Sequence, residues 1–253
     1  MGCFQWIDKG TNLGCMISEL VVFVVAVFLL YVTGQRHVLK CSVKSFVKSL
    51  WSGVVILVFA VIGCAGYASD GMKDGFTYKS LFEIIAFIIF VILIGLAEEI
   101  LCRGIITDSL FEYFGTSRKG LVLSVVMGGV LFGLTHISNV FAGQSWKATI
   151  IQVIGTSMLG ILLSAIYIRH KNIYGVAFLH TALDFLTMFT KGFFEGNTLR
   201  YQYEDIDFWK SLMSSLYSQS IFIIITIFVL RPSIVKKIVE RRKERDGACE
   251  ELG

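Results

Sequence analysis

Long apolar stretches alternate with short charged ones along this chain. A hydrocarbon core about 30 Å thick is crossed by about 20 mostly apolar helical residues. By that length rule the pattern predicts seven spans, at roughly 16–33, 46–67, 80–101, 120–142, 148–168, 172–190 and 208–230. The expected fold is therefore all-α, a polytopic membrane helix bundle of about seven transmembrane helices. Nothing resembles a linker, a low-complexity tract or a clear internal repeat, so 1–253 reads as a single membrane domain with a basic tail over 231–253.

Composition supports the same class. Of 253 residues, 55% are hydrophobic and 17% charged, with a mean hydropathy of +0.72. A soluble domain carries about 25% charged residues. The first apolar run reads as a retained span: Asp8 and Lys9 give no basic n-region, and no convincing small-residue cleavage site follows it.

Loop charge sets the direction of insertion. One set of segments holds Arg36, Lys40, Lys44 and Lys48, then Arg103, Arg118 and Lys119, then Arg169 and Lys171, then seven basic residues from Arg231 to Arg245. The alternate set holds Lys9, Lys73, Lys79, Lys147, Lys191, Arg200 and Lys210. The first set outnumbers the second by sixteen to seven, which predicts the N-terminus outside and the C-terminus in the cytoplasm. The tail also carries Glu240, Glu244, Asp246, Glu250 and Glu251. It reads either as a surface for anionic lipids or as a solvated helix end that enforces topology. No nucleic-acid partner is expected, and the sequence leaves the oligomeric state open.

Several residue types read as structural. Cys3, Cys15, Cys41, Cys64, Cys102 and Cys249 form no C-x-x-C pair and no zinc or disulfide framework. Trp51, Trp146 and Trp209 fall near span ends, as interfacial anchors do. His37 and His170 lie in basic loops and are expected to be solvated. Gly129 and Gly133, and Gly160 with Ser164, have the spacing that lets helices approach closely, here within the bundle.

The ionisable groups inside the spans change the picture. Glu98 and Glu99 follow fourteen residues without a charge, Ile84 to Ala97. Ions near hydrocarbon lose hydration, so such groups are costly and point to function. Glu99 and Arg103 stand at i,i+4 in the favourable order, which leaves Glu98, about 100° round the helix, as the freer carboxylate and a candidate general base. An antiparallel hairpin turning near position 117 places Glu99, eighteen residues before it, level with His136, nineteen after it. That geometry makes the hairpin project into the cytoplasm. His180 lies about 12 Å into the sixth span at helical rise, and Asp184 shares its face at i+4. Taken singly, Glu99–Arg103 also reads as an ion pair at a helix end, His136 as an interhelical hydrogen-bonding group, and His180–Asp184 as a helix-locking pair.

These residues resemble the CAAX-protease and bacteriocin-processing (CPBP, or Abi) family of intramembrane endopeptidases. The chain carries E-E-x-x-x-R at Glu98 to Arg103, F-x-x-x-H at Phe132 to His136 and H-x-x-x-N/D at His180 to Asp184, in order and each at a span. The resemblance covers about residues 80–190, the expected catalytic core. It implies peptide-bond hydrolysis of a membrane-associated peptide or protein. Glu98 would activate water with His136, His180 and Asp184 would stabilise the oxyanion, and Glu99 and Arg103 would support them. Asp184 stands where CAAX endopeptidases usually carry Asn. The metal-free glutamate mechanism is favoured; zinc on Glu98, Glu99, His136 and His180 is the alternative.

Three functional classes stay open on the sequence. The first is an endopeptidase of a bacterial plasma membrane, acting on a bacteriocin leader, a signalling-peptide precursor or a CAAX-type substrate. The second is a non-catalytic bacteriocin self-immunity or membrane scaffold protein. The third, an ion or proton carrier, fits least, because the acidic groups gather at one depth and form no relay.

Overall fold

The computed structural model describes residues 11–73, 75–114, 117–199 and 205–250. Cys3, Asp8, Lys9, Arg200 and Glu251, named above, lie outside them. The described residues are helical, without a strand beyond one isolated bridge between Tyr78 and Phe194.

The first N–H groups of a helix have no intrahelical acceptor, and near a bilayer little water replaces one. The sequence supplies that acceptor at seven starts. Helices α1 (Asn12–Val32), α2 (Val43–Ser52), α4 (Leu81–Glu99), α6 (Arg118–Thr135), α7 (Trp146–His170), α8 (Ile173–Phe193) and α9 (Phe208–Val229) open on Thr11, Ser42, Ser80, Ser117, Ser145, Asn172 and Asp207. Each of these side chains accepts from the N–H three residues on. The remaining helices are α3 (Val54–Lys73), α5 (Asp108–Phe114) and α10 (Pro232–Glu250).

Seven helices are long and apolar enough to cross a membrane: Asn12–Val32, Val54–Lys73, Leu81–Phe114, Arg118–Ala142, Trp146–His170, Ile173–Phe193 and Phe208–Val229. The molecule is an integral membrane protein of the expected all-α class. The span expected at 46–67 is corrected in detail. It breaks at Gly53, whose N–H bonds back to the carbonyls of Ser49 and Leu50 while its own carbonyl accepts from Ile56. Gly53 lies against the Leu179 side chain with no room for a Cβ. The lysine-bearing half becomes a separate short helix, and the span starts at Val54.

The third span is longer than expected. It runs 34 residues, Leu81–Phe114, through a π-helical segment at Ile100–Thr107. That exceeds the bilayer requirement of about 20 residues, so its end projects with the start of α6 as a helical hairpin. The hairpin is close to symmetric about position 117. Phe114 faces Gly120, the Ser124 hydroxyl donates to the Leu110 carbonyl, Gly128 lies against Thr107, and Arg103 covers the Phe132 ring.

Helix α4 packs between α1 and α8, α6 packs on α7, and α7 packs on α9. The small residues act inside the bundle. A Cβ at Gly160 would meet the Gly129 carbonyl oxygen at 2.8 Å, so α6 and α7 touch backbone to backbone.

Two sequence readings change at the basic end, and His37, exposed as expected, gains a partner. The tail is more than a solvated helix end: Val235 and Val239 of α10 are buried. Arg242 donates to the carbonyls of Phe111 at 3.2 Å and Glu112 at 2.9 Å, near the C-terminus of α5. The last carbonyls of a helix are the ones such side chains commonly cap, and the guanidinium sits 5.2 Å over the Phe111 ring. His170 is half-buried and bonds the Ser52 hydroxyl at 2.8 Å. His37, though exposed, reaches buried Asp108 at 2.9 Å. Asp108 also takes the Tyr167 hydroxyl at 3.1 Å and the Lys171 ammonium.

Candidate active site

Glu98 and Glu99 are the last two residues of α4, and the π-helical turn begins directly after them. A π turn is held by neighbours more than by intrinsic preference, and such turns gather at functional sites. Here Thr107 donates its hydroxyl to the Cys102 carbonyl at 2.7 Å and lies 3.3 Å from the Ser164 hydroxyl of α7. Gly104 lets Leu30 of α1 and Val38 approach from another side.

The segment delivers Arg103 into the protein. Arg103 and Glu99 are both 0% exposed and joined at 2.6 Å, Nη1 to Oε1. The second guanidinium nitrogen donates to the Gly160 carbonyl at 3.2 Å. That carbonyl belongs to the close α6–α7 contact, so the packing glycines also set the position of the arginine. The guanidinium carbon stands 4.4 Å over the Phe132 ring, an arrangement that stabilises a cation screened from water.

Phe132 is the hub of the site. The His136 and His180 rings meet it nearly edge-on, with centroids 5.2 and 5.4 Å away and interplanar angles of 84° and 86°. The F-x-x-x-H spacing thus has a physical reason, because i and i+4 stack on one helix face. His136 starts the 3₁₀ turn His136–Ala142. Its Nδ1 lies 3.3 Å from both the Phe132 carbonyl and the Thr135 hydroxyl.

His180 of α8 sits among the three carboxylates. Its Nδ1 lies 2.8 Å from Glu99 Oε1, the oxygen that also holds Arg103. Its Nε2 lies 3.5 Å from Asp184 Oδ2 and 3.7 Å from Glu98 Oε2. The carboxylates differ in surroundings. Glu99 is sealed, whereas the Glu98 and Asp184 side chains retain 13% and 20% exposure. Glu99 Oε2 and Asp184 Oδ2 are buried atoms with no hydrogen-bond partner among the described residues.

The structure therefore brings Glu98, Glu99, Arg103, His180 and Asp184 into direct or near contact. It joins His136 to them through the Phe132 ring. Two partners escape a sequence reading. One is the His180–Glu99 bond, which gives Glu99 a second role beside Arg103. The other is the Gly160 carbonyl, since a backbone acceptor leaves no mark in residue identity.

Of the residues named for zinc, Glu99 has one oxygen, Oε1, engaged by both Arg103 and His180, and the other, Oε2, without a hydrogen-bond partner among the described residues. Among the described residues, the donor atoms that converge belong to His37, between α1 and α2, and to Asp108 and Glu112 of α5. An apolar cavity of about 540 Å³ lies between α3, α4 and α8, lined in part by Val91, Leu96, Phe178 and Thr181. Thr181 directly follows His180 in sequence.

No curated protein and no solved structure matches the chain. Residues 80–186 match the family model described as type II CAAX prenyl endopeptidase Rce1-like. The matched segment runs from the N-cap of α4 into α8 and contains all six site residues, so the part of this membrane protein that carries the site is similar to the CAAX protease (CPBP) family.

Proposed function

We propose that the protein is an intramembrane endopeptidase that hydrolyses a peptide bond with water activated by Glu98. The observation that carries this reading is the setting of His180. Its Nδ1 is held by buried Glu99 while its Nε2 faces both Glu98 and Asp184. Glu98 takes a proton from water as the oxygen attacks the substrate carbonyl carbon. The negative charge that grows on the carbonyl oxygen is met by an N–H at His180 Nε2, oriented in advance by Glu99; donors fixed before reaction stabilise such charge most. The Glu98 carboxyl then delivers its proton to the amide nitrogen, the C–N bond breaks, and Glu98 returns to a carboxylate. His136 helps to hold and polarise the water. Asp184 positions the His180 ring.

The route is metal-free in this reading, because no H-E-x-x-H pair is present and Glu99 Oε1 is already held by Arg103 and His180. Activity that is lost to a chelator and restored by zinc would overturn that choice. The loop-charge bias supports a cytoplasm-facing site, with the N-terminus outside. The apolar cavity beside α8 supports a membrane-associated peptide as substrate, whether CAAX-type or a leader or signalling peptide.

The test is Glu98→Gln, which keeps the shape and removes the base. Reconstituted wild type should cleave a prenylated CAAX reporter peptide or release membrane peptides that accumulate with the variant. General-base removal should lower the rate by about 10²–10⁴ with helical content unchanged. Cleavage unchanged in this variant refutes the assignment.

A further inference from the structure

Helix α2 supplies none of the site's ionisable groups, though its Phe46 helps line the apolar cavity. Its inner side is docked. The Asn172 amide donates to the Ser45 hydroxyl at 2.7 Å and to the Ser42 carbonyl at 3.2 Å, Gly175 packs on Ser49, and Phe46 meets Phe178 edge-on. Ser52 bonds His170. These partners are the last residue of α7 and the first two turns of α8. Helix α2 is therefore level with the membrane-surface end of those spans.

Its outer side has a definite chemistry. Val43, Val47 and Trp51 are 80%, 57% and 78% exposed and stand at i,i+4,i+8. The stripe continues across Gly53 into Val54, Val58, Val61 and Ile62, the exposed face of α3. Since α3 crosses the membrane, the side of α2 that continues its face meets lipid as well. Lys44 and Lys48 are exposed one position round from the stripe, and Lys40 precedes the helix. The sequence holds no Asp or Glu between Glu19 and Asp70. None of the three lysines is paired with a carboxylate among the described residues.

We propose that α2 is an interfacial anchor, with Val43, Val47 and Trp51 in the acyl boundary and Lys40, Lys44 and Lys48 on the phosphates of anionic phospholipids. An apolar face bordered by lysines, at headgroup depth and without local acids, is complementary to such a surface. Helix α10 offers less, because its lysines and arginines are interleaved with Glu240 and Glu244 and Lys236 lies 3.7 Å from Glu240.

The experiment uses the full chain in nanodiscs of phosphatidylcholine with and without phosphatidylglycerol. Trp51 is isolated as the difference between wild type and Trp51→Phe. Brominated acyl chains should quench this component, and aqueous iodide should spare it. Binding of spin-labelled phosphatidylglycerol, relative to spin-labelled phosphatidylcholine, should fall about fivefold for each lysine removed in Lys44→Gln and Lys48→Gln. Two results would overturn the proposal. One is Trp51 quenched by iodide and not by brominated lipid. The other is a lipid preference that survives the double lysine variant and falls in Lys236→Gln/Lys237→Gln. The quenching needs no substitution in the lysine row, so a poorly folding variant does not remove the test.

Discussion

Removing the Arg103 side chain should be among the most damaging single changes outside the reacting groups. In Arg103→Met, Glu99 Oε1 loses its 2.6 Å partner while the carboxylate stays fully buried. The Gly160 carbonyl and the Phe132 face lose their cation at the same time. Breaking one side of a buried ion pair costs about 3–5 kcal/mol. The carbonyl and ring contacts belong to the same group and are not added on top, because neighbours in one network are not additive. At about 1.4 kcal/mol per decade, the unfolding constant should rise by roughly two to four decades. The second half of the cycle is Glu99→Gln on the same background. It removes the stranded charge and leaves an amide oxygen that still accepts from His180. The double variant should recover about half of the loss or more, since neutral replacements for buried pairs are often tolerated. Equilibrium unfolding of purified protein in mixed micelles, followed by helical content, measures all four corners. A double variant no more stable than Arg103→Met, or a single variant within about 0.5 kcal/mol of wild type, the range of an ordinary surface change, refutes the account.

Three further outcomes follow from named contacts. Asp184→Asn keeps the shape and the family pattern at that position, and it should retain cleavage within about tenfold, whereas His180→Gln should lose about 10²–10⁴ as a reacting-group change does; initial rates on one reporter peptide compare the two. Thr107→Val leaves the Cys102 carbonyl without its hydroxyl and should cost about 1–3 kcal/mol of stability, read from the same unfolding assay. Arg242→Ala uncaps the carbonyls of Phe111 and Glu112 and should speed amide exchange near the C-terminus of α5, with amides in the middle of α4 unchanged, because exchange reports local opening.

Much of this arrangement is legible in the residues. The seven apolar runs follow from bilayer thickness, and the symmetry of the hairpin follows from counting to position 117. The i,i+4 spacings of Glu99–Arg103, Phe132–His136 and His180–Asp184 each became a real contact. Other parts are set by tertiary neighbours. The π turn at Ile100–Thr107 has no sequence period of its own, and depends on Thr107, Ser164 and the glycines around it. The break at Gly53 hides inside a continuous apolar run, and only Leu179 and the docked face of α2 explain it. The docking of α10 did leave a trace: Val235, Ile238, Val239 and Arg242 recur at helical spacing. The density of charge around them obscures that stripe and favours a solvated reading. Asp108 is subtler still, because its partners His37, Tyr167 and Lys171 come from two distant parts of the chain.

The π turn also fixes what lengths of chain this protein tolerates. A π turn holds about one residue more than an α turn, so deleting a single residue between Ile100 and Thr107 would let the backbone relax into regular α-helix. What lies beyond the deletion would stay in phase with Glu98 and Glu99, because the π turn spends its extra residue on width and not on rotation. Asp108 would still face His37 and Lys171, and Phe111 would still face Arg242. The loss would fall inside the turn, on the Thr107 bond to the Cys102 carbonyl, which spans five residues. A lost residue in this segment is therefore a more local change than one in the middle of α4, where every later residue would turn by about 100°.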